Sequence, residues 1–169
     1  GFLARVCRAT VILCSATQPN STKAHHPIPV PVGDLIPYHP DLWAPFCRTH
    51  LVDAGSRPLA NIPDFLTEQL EPLSSLLSIC NMKHQARFLY QRCKGPEHRT
   101  FHLSAGMCPA HRRAVLAQMT TALENSRKGG PKVLCVSTQV MEAGINLSFG
   151  GTVRLAAGLD NAIQTAGRG

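Results

Sequence analysis

Apolar and polar positions along the chain fall into repeated strand–helix units. Leu76-Leu77-Ser78-Ile79-Cys80 is a nearly unbroken apolar run ending at Asn81, of the length expected for a buried strand. From Met82 the spacing becomes helical. Met82, Ala86, Leu89, Tyr90 and Cys93 share one face, Asn81 is a suitable N-cap, and Gly95-Pro96 stops the helix. Residues 100–103 read as a second strand and residues 104–108 as a turn. Pro109 then starts a helix, where its missing N–H costs little. That helix extends to about Lys128, with Val115, Leu116, Met119 and Leu123 inward, and Gly129-Gly130 ends it. The third strand is Val133-Leu134-Cys135-Val136, with Ser137-Thr138 where it should end. Strand, helix, strand, helix, strand predicts an α/β domain, a parallel sheet with helices on both faces. Ligands of such sheets gather at the carboxyl ends of the strands.

The earlier part of the chain is less periodic. Residues 9–14 (ATVILC) are a short buried-strand signal followed directly by Ser15-Ala16-Thr17. Residues 18–63 are proline-rich, and the stretch PIPVPVGDLIPYHPDLWAP favours extended and turn conformations over helix. A structureless segment of this length implies a linker or an insertion, with Trp43 and Phe46 anchoring it on a domain. Residues 62–77 have room for a short helix.

Charge changes the picture in the second half. Of 17 Lys and Arg and 10 Asp and Glu, residues 1–82 hold five and six, leaving 17 − 5 = 12 basic against 10 − 6 = 4 acidic after Met82. A basic half suits a phosphate-rich partner. No apolar run approaches the roughly 20 residues of a membrane span, and Arg5 and Arg8 interrupt the opening apolar stretch, so no signal peptide is expected. The seven cysteines include no C-x-x-C pair. They read as reduced and cytoplasmic, Cys14, Cys80 and Cys135 acting as small hydrophobes; zinc is the minor reading. The pair His25-His26 has no ligand spacing beside it, and no metal site is expected.

Residues 137–146 (STQVMEAGIN) resemble motif V of superfamily 2 helicases, and residues 164–169 (QTAGRG) resemble a truncated motif VI. The triplet Ser15-Ala16-Thr17 is similar to motif III, and SLLSICNMKHQARFLYQRC to motif IV. HLSAGMCPAHRR, together with the STQ-x-x-E-A-G form of motif V, sharpens the resemblance to the CRISPR-associated helicase–nucleases of type I interference systems. It covers nearly the whole chain and is loosest between Gln18 and Pro63.

The resemblance implies a RecA-like architecture. Residues 1–17 would close a first RecA-like domain, residues 18–63 would be linker or insertion, and residues 64–169 would be the second RecA-like domain, truncated. Nucleotide would lie between the two domains. Arg168 would stabilise charge developing on the γ-phosphate, and Gln164 would partner phosphate or the attacking water. Gly144, Asn146, Gly167 and Arg168 would line the ATP site, Gly167 permitting close backbone approach. Asn81, Ser137 and Thr138 would contact the nucleic-acid backbone, and Ser15 and Thr17 would couple it to the ATP site. ATP and Mg²⁺ are the implied cofactors, with the Mg²⁺ ligands outside this sequence. Single-stranded DNA and a CRISPR effector complex are the implied partners.

Three positions depart from the family pattern. Asn146 stands where an Asp is usual, Thr165 where an arginine is common, and the second motif VI arginine falls beyond Gly169. The phosphate loop, the acidic DExH box and the HD nuclease ligands are not in these residues, so they alone are expected to be inactive. Two other readings stay open: a different superfamily 2 RNA or DNA helicase, and a non-catalytic nucleic-acid-binding α/β module.

Overall fold

The structure, a computed structural model, describes residues 2–12, 33–37, 39–46, 49–141, 145–156 and 166. The chain divides into two compact units, Gly1–His50 and Leu51–Gly169. The division falls inside the proline-rich stretch.

In the first unit the described residues form two single-turn helices, α1 (Phe2–Arg5) and α2 (Pro40–Trp43), the latter continued by a 3₁₀ turn at Ala44–Phe46. The strand expected over residues 9–14 is not formed at residues 9–12, which have no regular structure; Val11 and Ile12 are exposed. An apolar run becomes a buried strand only where neighbouring strands cover it, and none does so among the described residues. Leu13, Cys14, Ser15 and Thr17 lie outside the described residues, as do the side chains of Trp43 and Phe46.

The second unit is the α/β domain that the periodicity predicts. After a 3₁₀ turn at Leu59–Asn61 come α3 (Ile62–Leu70), β1 (Ser75–Cys80), α4 (Lys83–Arg92), β2 (His98–Leu103), α5 (Pro109–Arg127), β3 (Lys132–Thr138) and β4 (Gly151–Arg154). Among the described residues the strand pairings are parallel, in the order β2-β3-β1-β4. Right-handed crossovers fix where the helices go. The chain moves one way across the sheet from β1 to β2 and back from β2 to β3, so α4 and α5 must cover opposite faces.

The core confirms this. Leu76, Cys80, Leu134 and Val136 pack with Leu66, Leu70, Ala86 and Leu89 of α3 and α4. Leu77, Ile79, Val133 and Cys135 pack with Met119, Ala122 and Leu123 of α5. The β3-to-β4 connection continues in the second direction and lies on the α5 face, where Met141 and Phe149 are buried.

Burial raises the Cys80 and Cys93 thiols to about 12 and about 11 and pushes Cys135 up as well. These are packed, unreactive thiols, whereas Cys7 and Cys108 are exposed.

Two sequence readings are corrected at α4. Its N-cap is Met82, not Asn81, and the Met82 backbone N–H donates to Oε1 of Gln85 at 3.2 Å. Met82 is 55% exposed rather than inward, because the residue before a helix points off its apolar stripe.

The end of α5 follows the glycine reading. Gly129, at φ +88°, donates to Ser126 O and Gly130 to Asn125 O, closing a paired 5→2 and 6→1 cap. Gly129→Ala is expected to cost about 1–2 kcal/mol, the penalty of a Cβ in the left-handed region. Urea denaturation of the variant would measure it.

Candidate nucleic-acid interface

The strand order creates a crevice. β1 leaves the sheet toward the α4 face, whereas its neighbour β3 leaves toward the α5 face. Between two such strands the exiting loops part, and the carboxyl edge there is the expected ligand site of an open α/β sheet. Cys80 is in register with Thr138, Leu103 with Ser137, and Ile79 with Arg154. Asn81 and Ser137-Thr138, far apart in sequence, therefore meet at one edge, with the β2 exit turn beside them.

The side chains there do different work from one another. The Asn81 Nδ2 donates to Ala156 O at 2.5 Å, and its Oδ1 accepts from Arg154 Nη1 at 2.7 Å. Arg154 also donates to Ile79 O and Leu155 O. This pair ties the exits of β1 and β4 together. Ser137 is fully buried, its Oγ 2.9 Å from both Leu103 O and Thr138 O, so its hydroxyl joins β3 to the end of β2. Thr138 has the opposite character. It is 6% exposed, and its Oγ1 is buried without a hydrogen-bond partner among the described residues. A buried hydroxyl left unmatched costs roughly 1–3 kcal/mol.

Among the described residues, three cations stand at or beside this edge. Lys83 opens α4 and leans over the β2 exit turn, its Nζ 3.9 Å from where a Cβ on Gly106 would stand. Arg112 lies in the first turn of α5 and donates to Met107 O, and Arg154 ends β4. Among the described residues, Glu71 and Glu97 precede β1 and β2, and Glu124 sits in the last turn of α5, all toward the amino edge. The described part of the carboxyl edge thus suits a polyanion, whether a nucleic-acid backbone or a polyphosphate. Sequence reasoning missed Lys83 and Arg154; the signal for both was a cation at the point where a strand ends or a helix begins.

The other site residues are less fully placed. Asn146 is exposed on the β3-to-β4 connection, where Ile145, Leu147 and Phe149 turn inward and Asn146 and Ser148 outward. Gly144, Gln164, Gly167 and Arg168 lie outside the described residues. Among the described residues no group of three His, Cys, Asp or Glu side chains could hold a metal, and no helix is long and apolar enough to cross a membrane.

The family described as CRISPR-associated nuclease/helicase Cas3, C-terminal, matches residues 73–169. Among solved structures, the crystal structure of T. fusca Cas3-ATP is similar with a TM-score of 0.56 and 19% identity, over 69% of this chain. At that identity the likeness speaks for the fold, which is RecA-like. This chain spans 14% of the T. fusca chain. No curated protein matches it.

Proposed function

Because the chain belongs to the family of C-terminal regions of the CRISPR-associated nuclease/helicase Cas3, we propose that it forms the second RecA-like half of an ATP-driven motor that grips single-stranded DNA at its carboxyl edge. One observation carries this reading: the β1 and β3 exits converge on a crevice beside Asn81 and Lys83, with Arg154 tied to Asn81. Contacts of this kind hold phosphates and leave bases unread. Ser137 and the buried Thr138 shape the strand end from within, and Lys83 and the backbone around Asn81 would meet the DNA.

In this reading residues 1–17 end a first RecA-like domain, residues 18–63 link it, and residues 64–169 make the second. ATP, the ligand named for T. fusca Cas3, would be held from this side by Arg168, Gln164, Gly144, Gly167 and Asn146, with Mg²⁺ held by residues of the first domain. It would supply the phosphoryl group whose hydrolysis drives movement. Ser15 and Thr17 would couple that site to the DNA. The full-length protein would act in the cytoplasm with a CRISPR effector complex, unwinding and degrading invading DNA.

A salt series tests the grip. Binding of oligo-dT to the full-length protein without nucleotide should weaken steeply with salt. For three or four phosphate contacts, log K against log salt should fall with a slope of about −2 to −3. Mixed-sequence strands should bind alike. A flat salt response, or a marked sequence preference, would argue for a different module.

A further inference from the structure

The sheet ends on β2, which among the described residues has β3 on one side and no strand on the other. β2 is six residues long and has no proline, so among the described residues its outer edge can pair with a further strand. A groove of about 430 Å³ follows this edge and draws its walls from both faces of the sheet. Tyr90 and His102 stack on each other on the α4 side, and Phe101, Met107 and Val115 line the α5 side. An occupant that meets both faces while following a free backbone edge is an extended strand, because its alternate side chains point to opposite faces.

Charge selects among possible strands. Arg99, His102 and His111 line the groove with no carboxylate, and Lys94 lies over the Tyr90 ring. A second copy of β2 would bring its own Arg99 and no acid. A nucleic-acid strand would need open ring faces for its bases. Here the Tyr90 ring already stacks on His102 at 5.3 Å and carries the Lys94 Nζ 4.4 Å from its centroid, and Phe101 is 8% exposed.

We propose that the free edge of β2 docks an extended acidic segment of a partner polypeptide as an added strand, its carboxylates meeting Arg99 on the face that Arg99 shares with Phe101. The groove opens at the lateral edge of the sheet, so the inference does not rest on the DNA-gripping function of the carboxyl edge.

The test uses a labelled peptide of about ten residues alternating Glu with Val, titrated against the 169-residue chain by fluorescence anisotropy. Hydrogen exchange is followed over residues 98–103. Saturable binding is expected, with slower exchange of the β2 amides. Arg99→Glu should weaken it about tenfold, and a peptide alternating Lys with Val should recover binding to that variant. The same acidic peptide with prolines at alternate positions should not bind, because it cannot complete a ladder. The proposal is overturned if the Glu–Val peptide does not bind, if the proline-containing peptide binds equally well, or if Arg99→Glu has no effect. Preference for oligo-dT over the peptide would also overturn it, giving the groove to nucleic acid.

Discussion

Replacing Arg168 by alanine in the full-length protein is expected to lower ATP turnover at saturating single-stranded DNA by roughly a thousandfold or more. The expectation rests on the resemblance of QTAGRG to a truncated helicase motif VI, which implies that its arginine meets the γ-phosphate. Phosphoryl transfer spreads charge over the transferred oxygens, and a rigid guanidinium fork answers that charge at two points. Arg168→Lys should therefore rescue little, since an ammonium on a flexible stem is a point charge. DNA binding without nucleotide should be nearly unchanged, because the lost interaction is made mainly in the transition state. If Arg168 were instead a surface residue or a DNA-backbone contact, maximal turnover would be normal. At most, more DNA would then be needed for half-stimulation. Steady-state turnover at saturating DNA separates the two, and unchanged turnover in Arg168→Ala would remove the motif VI assignment.

The second large effect is on stability. Leu134 is fully buried in the middle of β3, an inner strand, in register with Leu76 on one side and Thr100 on the other. It packs among the α3 and α4 side chains. Truncation to alanine removes apolar contact and leaves a space that the two flanking strands cannot close, at a cost of about 2–5 kcal/mol. Stabilities of 5–15 kcal/mol are usual for a domain, so the melting temperature should drop on the order of 10 °C. Leu134→Ile keeps the volume and should cost less than about 1.5 kcal/mol. Calorimetry or urea denaturation would read both. A loss below about 1 kcal/mol for the alanine variant would mean that this face is not packed as described.

The periodic elements were legible in the sequence, and the features set by distant partners were not. β1, β2, β3 and α5 follow from apolar runs and from Pro109 and Gly129-Gly130, which act locally. β4 was missed because Gly151-Thr152-Val153-Arg154 is short and glycine-led, and β1 is what makes it a strand. Gly151 has a specific reason to be glycine: a Cβ there would stand 2.6 Å from Leu73 Cδ1, a contact only a shift of that side chain could relieve.

Asn81 looked like a helix cap from its neighbours. Its amide instead serves Ala156 and Arg154, more than 70 residues along the chain. Ser137 looked like an edge hydroxyl because the apolar run stops at Val136; the ladder carries on to Thr138 and buries it. The convergence of Asn81 and Thr138 was legible in outline, since parallel strands place all their exits on one edge. The order β2-β3-β1-β4, which puts the crevice between β1 and β3, depends on packing that no single segment encodes.

Photo-cross-linking tests the central claim most directly. Full-length protein would be irradiated with a photoreactive oligo-dT and the adducts located by mass spectrometry. The carboxyl-edge account predicts cross-links at the β1 exit, around Asn81 to Lys83, and at the β3 exit, around Thr138. Cross-links confined to the amino edge, around Gly129 to Lys132, with none at either exit, would contradict it.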